Sequence, residues 1–77
     1  PLDYVIDNLK RILGVTDLPV TIDMEAGYGA TAAEVGASVG RAAEAGAVGI
    51  NMEDKWPGPR TMMDIADAAT RIRAAAD

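Results

Sequence analysis

Residues 18–31 read LPVTIDMEAGYGAT, and residues 45–55 read AGAVGINMEDK. Between them these two stretches decide the fold. LPVTIDM (18–24) is a short β-rich run opened by Pro19, which suits a first strand position because no ladder hydrogen bond is lost there. AGYGA then breaks the run. AVGINME (47–53) is a second strand, and its Ile50-Asn51-Met52-Glu53 repeats the pattern of Ile22-Asp23-Met24-Glu25. Thr31-Ala-Ala-Glu34 reads as a capping box opening a helix that carries Val35, Val39 and Ala42 on one face, and Gly46 stops it. Strand, helix and strand fill about 30 residues, the length of a βαβ unit. Such a unit requires parallel strands joined by a right-handed crossover.

Working outward, Leu2, Val5, Ile6, Leu9, Ile12 and Leu13 recur at helical spacing with polar residues between them, and Gly14 is placed to end that helix. Thr16-Asp17 makes a polar turn. DKWPGPR (54–60) is a loop, since its prolines and glycine suit neither regular element. From Thr61 to Ala76 the stripe Met62, Ile65, Ala69, Ile72 predicts a final helix. The order is therefore α-β-α-β-α, an α/β chain with two parallel strands. Repeated βα units are the grammar of a (β/α)8 barrel, but a doubly wound sheet shares it, and two copies do not choose between them.

Composition bounds what this unit can do. The chain has 77 residues and is 49% hydrophobic, but much of that is alanine, with no Phe, one Trp and two Tyr. The apolar area available for a core is modest for the length. With no Cys or His, disulfides and the usual zinc or copper sites are ruled out. A net charge of -5 and a pI near 4.4 argue against nucleic-acid or anionic-membrane partners, which need a basic surface. No apolar run approaches the ~20 residues of a membrane span and no signal-peptide pattern opens the chain, so a cytoplasmic location is the expectation. Pro1 falls inside a helical pattern, as in a piece of something larger.

Strand side chains alternate between two faces. Val20, Ile22 and Met24 share one face, as do Val48, Ile50 and Met52, and these must pack under the helices. Thr21, Asp23 and Glu25 share the other face of the first strand, and Gly49, Asn51 and Glu53 the other face of the second. The acids then gather at the C-terminal ends of both strands, where α/β folds bind ligands. Three carboxylates in one mouth repel one another unless a cation intervenes, and Mg²⁺ takes one or two carboxylates plus waters and an oxygen-rich substrate. Gly27 and Gly29 would let the backbone approach such a ligand closely.

Simpler readings stand beside this one. An acid just past a strand end is commonly a turn residue or helix cap. GYG lacks the third glycine of a dinucleotide fingerprint. On its own residue type, Tyr28 is a packing residue before it is a catalytic acid, Lys55 and Arg60 are solvated loop charges, and the four methionines are core fillers. Trp56, beside the Pro-Gly-Pro run of this loop, suits a lid or a subunit contact equally.

PVTIDMEAGYG followed by AGAVGINMEDK closely resembles the isocitrate lyase/phosphoenolpyruvate mutase superfamily, and in particular its phosphonomutase-like branch. The resemblance runs from Leu18 to the RIRAA at 71–75 and implies that residues 1–77 are a fragment of a (β/α)8 TIM barrel, about two βα units plus the preceding helix. It implies a Mg²⁺ site at Asp23, Glu25 and Glu53, a substrate loop at Gly27, Tyr28 and Gly29, and a catalytic role for Glu53 and, more loosely, Lys55. The implied substrate is a small α-keto acid or phosphonate, handled through an enolate as a C–C or P–C bond is made or broken. A homo-oligomer is expected from the same resemblance. The lyase branch carries a Lys-Lys-Cys-Gly-His loop where this chain has KWPGPRTMM, so isocitrate or methylisocitrate lyase activity is not expected. The mutase loop is matched only in part, because no Asn-Ser follows Lys55-Trp56-Pro57. A barrel needs about 250 residues, so the 77 residues alone are expected to hold an incomplete site. The competing expectation is a noncatalytic α/β scaffold module that associates through its open sheet edges.

Overall fold

The computed structural model describes residues 1–56 and 61–77. In chain order the elements are α1 (Leu2–Leu13), β1 (Thr21–Asp23), α2 (Ala32–Ala45), β2 (Gly49–Asn51) and α3 (Ile65–Ala76). The strands are parallel neighbours in the register Thr21 to Gly49, Ile22 to Ile50 and Asp23 to Asn51. Hydrogen bonds from Val48 N–H to the Val20 carbonyl (2.9 Å) and from Met24 N–H to the Asn51 carbonyl (2.9 Å) extend the pairing at both ends. The expected order and the parallel pairing are both observed. Among the described residues, no helix is long and apolar enough to cross a membrane.

The local signals do what their chemistry requires. Thr31 Oγ1 accepts the Glu34 N–H at 3.2 Å and stands 3.2 Å from Glu34 Oε1, so both ends of the box meet at the α2 N-terminus. Gly46 closes α2 at φ +119°, a conformation that disfavours any residue with a Cβ. Gly14 ends α1 differently, at φ -72°, so its helix stops without a left-handed residue.

The core lies between α1, α2 and the sheet: Ile6, Leu9, Met24 and Ala42 are buried, with Val20, Ile22, Val39, Ile50 and Met52 packed around them. Met24 and Val35 are the largest side chains fully removed from water. Each contributes about 1.5–3 kcal/mol of transfer free energy. Strict alternation fails at Val48, which is 68% exposed. The chain is still leaving the Gly46 turn there, and Ala47 faces the core in its place.

The last helix also departs from expectation. It begins at Ile65, not Thr61, because residues 61–63 run back beside the loop after β2. Lys55 and Met62 form an antiparallel bridge, Trp56 N–H donates to the Thr61 carbonyl (2.9 Å), and Met63 N–H donates to the Asp54 carbonyl (2.7 Å). Of the loop DKWPGPR, residues 57–60 lie outside the described residues, and with them the reading of Arg60. The predicted stripe of α3 is not its packed face: Ile65 is 89% exposed and Ile72 is 58% exposed. The helix docks instead through small residues, with Gly36 of α2 so near that an added Cβ would stand 3.0 Å from the Ala74 carbonyl oxygen.

Candidate metal and substrate site

The candidate residues fall at or just beyond the C-terminal ends of β1 and β2. Asp23 is the last residue of β1, in register with Asn51, and its side chain is exposed. Its Oδ1 accepts the Glu25 N–H at 2.9 Å, an Asx-type turn that bends the chain out of the strand. Asp23 is thus both a turn residue and an accessible carboxylate. The second loop is tied to the first through its backbone, since Glu53 N–H donates to the Glu25 carbonyl at 2.6 Å. The sheet therefore brings the TIDME and INME segments side by side.

It does not gather their three carboxylates. Among the described residues, no group of three acids is placed to hold one metal ion. Strand alternation would put Glu25 on the face of Asp23, but the strand ends at Asp23 and Glu25 adopts φ +50°. Past that left-handed residue, strict alternation no longer applies. The Glu25 carboxylate instead accepts a hydrogen bond from the Tyr28 hydroxyl. That bond, partial burial and the charges of Glu25 and Asp23 push the Tyr28 phenol up to about 12. Tyr28 is accordingly a held, neutral hydrogen-bond donor at neutral pH. Glu53 is exposed and lies 3.8 Å from the Lys55 ammonium. Asp23 and Glu53, both exposed, are oxygen donors of the kind Mg²⁺ takes with retained waters, Glu53 being shared with Lys55.

The two glycines are demanded by the chain itself. Gly27 has φ +103°, and a Cβ there would stand 2.8 Å from Val35 Cγ1. At Gly29 a Cβ would stand 2.6 Å from the Val35 backbone nitrogen and 2.7 Å from Glu34 Cβ. The loop lies directly on the first turn of α2, and this close backbone approach requires both glycines. Tyr28, at φ +54° between them, is half-buried, and its carbonyl accepts the buried Ser38 hydroxyl at 2.9 Å.

One residue of this region has no counterpart in the sequence reading. Arg71 of α3 is 5% exposed and donates from its two terminal nitrogens to the carbonyls of Ala26 (3.2 Å), Ala30 (3.3 Å) and Gly29. Its guanidinium carbon lies 5.1 Å from the centroid of the Trp56 ring. Trp56, half-buried, thus lies against the Arg71 guanidinium. The sequence signal for Arg71 is faint: it lies on the helix face marked by Ala68 and Ala75, both half-buried. A cavity of about 350 Å³ opens beside this region, lined by Met52, Glu53, Asp54, Met63, Ala68 and Ile72.

Known proteins resemble this chain in sequence and fold. Residues 1–77 match the phosphoenolpyruvate phosphomutase family. The chain is 32% identical to 2-methylisocitrate lyase of Escherichia coli K12 over 83 aligned positions, which take in 99% of this chain and 28% of the enzyme. It superposes with a TM-score of 0.95 on a Burkholderia cenocepacia J2315 protein assigned as a phosphonomutase, at 41% identity, covering 97% of this chain and 31% of that one. It superposes with a TM-score of 0.88 on the phosphoenolpyruvate phosphomutase of Streptomyces platensis subsp. rosaceus, at 26% identity, covering 100% of this chain and 29% of that one. The chain thus spans under a third of the length of each relative. Family match, sequence identity and superposition agree that this chain belongs to the phosphoenolpyruvate phosphomutase family, within the superfamily of isocitrate lyases and phosphoenolpyruvate mutases.

Proposed function

We propose that these residues supply two consecutive βα units, with the preceding helix, of a (β/α)8 barrel enzyme that uses Mg²⁺. The enzyme acts on small α-keto acids or phosphonates through an enolate, making or breaking a C–C or P–C bond. The observation that supports the reading is the register of β1 and β2: Asp23 ends β1 beside Asn51, Glu53 follows two residues beyond β2, and a backbone hydrogen bond joins the two loops. Asp23 and Glu53 would hold the cation, and Glu25 would join them only when released by Tyr28. A cation held there would supply Lewis acidity toward carboxylate and keto oxygens. Lys55, paired with Glu53, sits where a substrate anion would meet a positive charge, and the Gly27–Gly29 loop forms the adjoining wall. The 77 residues by themselves hold an incomplete site, in keeping with relatives more than three times as long. Within the family the similarity reaches both lyases and mutases. The absence of Cys and His from these residues favours the mutase side.

A Mg²⁺ titration followed by thermal unfolding tests the proposal. A ligand at 100 times its Kd stabilises by about 2.7 kcal/mol, which raises the Tm of a domain this size by roughly 10–20 °C. Asp23→Asn is expected to abolish the shift. An unshifted Tm in the unaltered chain would overturn the metal site and leave the scaffold reading. That reading is favoured by one observation, the exposure of Leu18, Val48 and Ile65 at 73%, 68% and 89%, which suits self-association. Sedimentation of the chain as a monomer would count against it. Mg²⁺-dependent turnover of an α-keto acid or phosphonate by the 77 residues alone would refute the incomplete-site statement.

A further inference from the structure

A buried guanidinium requires compensation, normally from a carboxylate. Arg71 has no carboxylate at ion-pair distance among the described residues, and its Nε is left without a partner. Its charge is met by three main-chain carbonyls and the face of one indole. Those partners are not scattered. Ala26, Gly29 and Ala30 bracket Gly27 and Tyr28 in the loop after β1, and Trp56 adjoins Lys55 in the loop after β2. One planar group on α3 thus grips both loops that carry the candidate site.

We infer that Arg71 is the positioning residue of this site: its guanidinium, on three carbonyls of the 26–30 loop and against Trp56, sets the two site loops in one fixed relation. The geometry needs arginine in particular. Three acceptors on different peptide units and a ring face are reached at once by a rigid planar fork, whereas a lysine ammonium presents its donors from a single atom. The glycine contacts close the same arrangement from the other side, since Gly27 and Gly29 rest on Val35 and Glu34 while their loop's carbonyls face Arg71. Calling the place a site rests on the function proposed above; the fixing of the two loops does not.

Trp56 is the sole tryptophan, so its fluorescence reports this contact directly. In the unaltered chain, NMR should show cross-peaks between the Arg71 guanidinium and the Trp56 ring protons, and their absence would overturn the inference without any substitution. In Arg71→Met and Arg71→Lys, acrylamide quenching of Trp56 should rise at least about twofold. Exchange of the Gly27 and Glu53 amides, which hold the two loops in place, should speed up about tenfold or more, the factor set by losing a charge-assisted hydrogen bond. Ile6 and Leu9 amides in α1 should exchange at their original rate. Restoration of both readouts by lysine, or equal acceleration in α1, would overturn the inference by reducing Arg71 to a charge or a general stabiliser. If neither variant folds, the cross-peaks in the unaltered chain decide. A failed Mg²⁺ titration would sink the functional reading while leaving these results intact.

Discussion

The Tyr28–Glu25 hydrogen bond should make the chain lose stability in alkali by an amount that one atom controls. Folding holds the phenol up to about 12, against an ordinary value near 10. The unfolded chain therefore gives up its Tyr28 proton first as pH rises, and stability falls with pH wherever the native state binds more protons. The contribution is fully present below about pH 10 and disappears as pH climbs through 10 toward 12. Taken at face value, the displacement corresponds to ~2.7 kcal/mol. Glu25 is exposed and the pair faces water, so screening reduces this to about 1 kcal/mol. That equals roughly 4–8 °C in Tm for a domain of this size. Tyr28→Phe keeps the ring and its packing and removes only the hydroxyl. Thermal melts at intervals from pH 8 to 12 should show the variant less stable by that amount at pH 8 and equal to the unaltered chain near pH 12. Lysine deprotonation and the exposed Tyr4 act on both chains alike, so the difference between the two curves isolates Tyr28. Parallel curves across the whole range would refute the bond as a stabilising contact.

Other positions give equally sharp expectations. Gly29→Ala forces a Cβ to within 2.6 Å of backbone in α2, and should cost about 1–3 kcal/mol by urea unfolding. Gly40→Ala is its control: nothing lies within 4 Å of the new Cβ, so in mid-helix it should stabilise by about 0.5–1 kcal/mol. An outcome with both substitutions alike would contradict the loop's placement on α2. The Arg41–Asp3 pair is 2.7 Å long but 45% and 87% exposed, so Arg41→Ala should change stability by less than about 1 kcal/mol at ordinary salt. Tyr28→Phe should also tighten Mg²⁺ binding in the titration described above, because it frees the Glu25 carboxylate. Unchanged affinity would remove Glu25 from the ligand set.

The fold was legible where its causes are local, and the site only where they remain local. A capping box satisfies its own helix terminus, and Gly46 takes a backbone angle that few other residues could. The strand alternation of Ile50 and Met52 follows from the pleat. Each of these is decided within a few residues, and each is found. The misses share another cause. The Asx turn ended the strand one residue earlier than its pattern, so alternation no longer fixes Glu25, whose carboxylate meets a tyrosine three residues on. The α3 stripe was read as buried by its period, yet a helix docks through the face its neighbour admits, and Gly36 admits only small residues. Arg71 was hidden for a deeper reason. A charge on a helix defaults to solvent, and what draws this one inside is a set of carbonyls 41 to 45 residues away. Main-chain acceptors leave no mark on a sequence. The carboxylates of the candidate site are proposed from residue types, whereas the group that grips their loops could be seen only once the backbone had a shape.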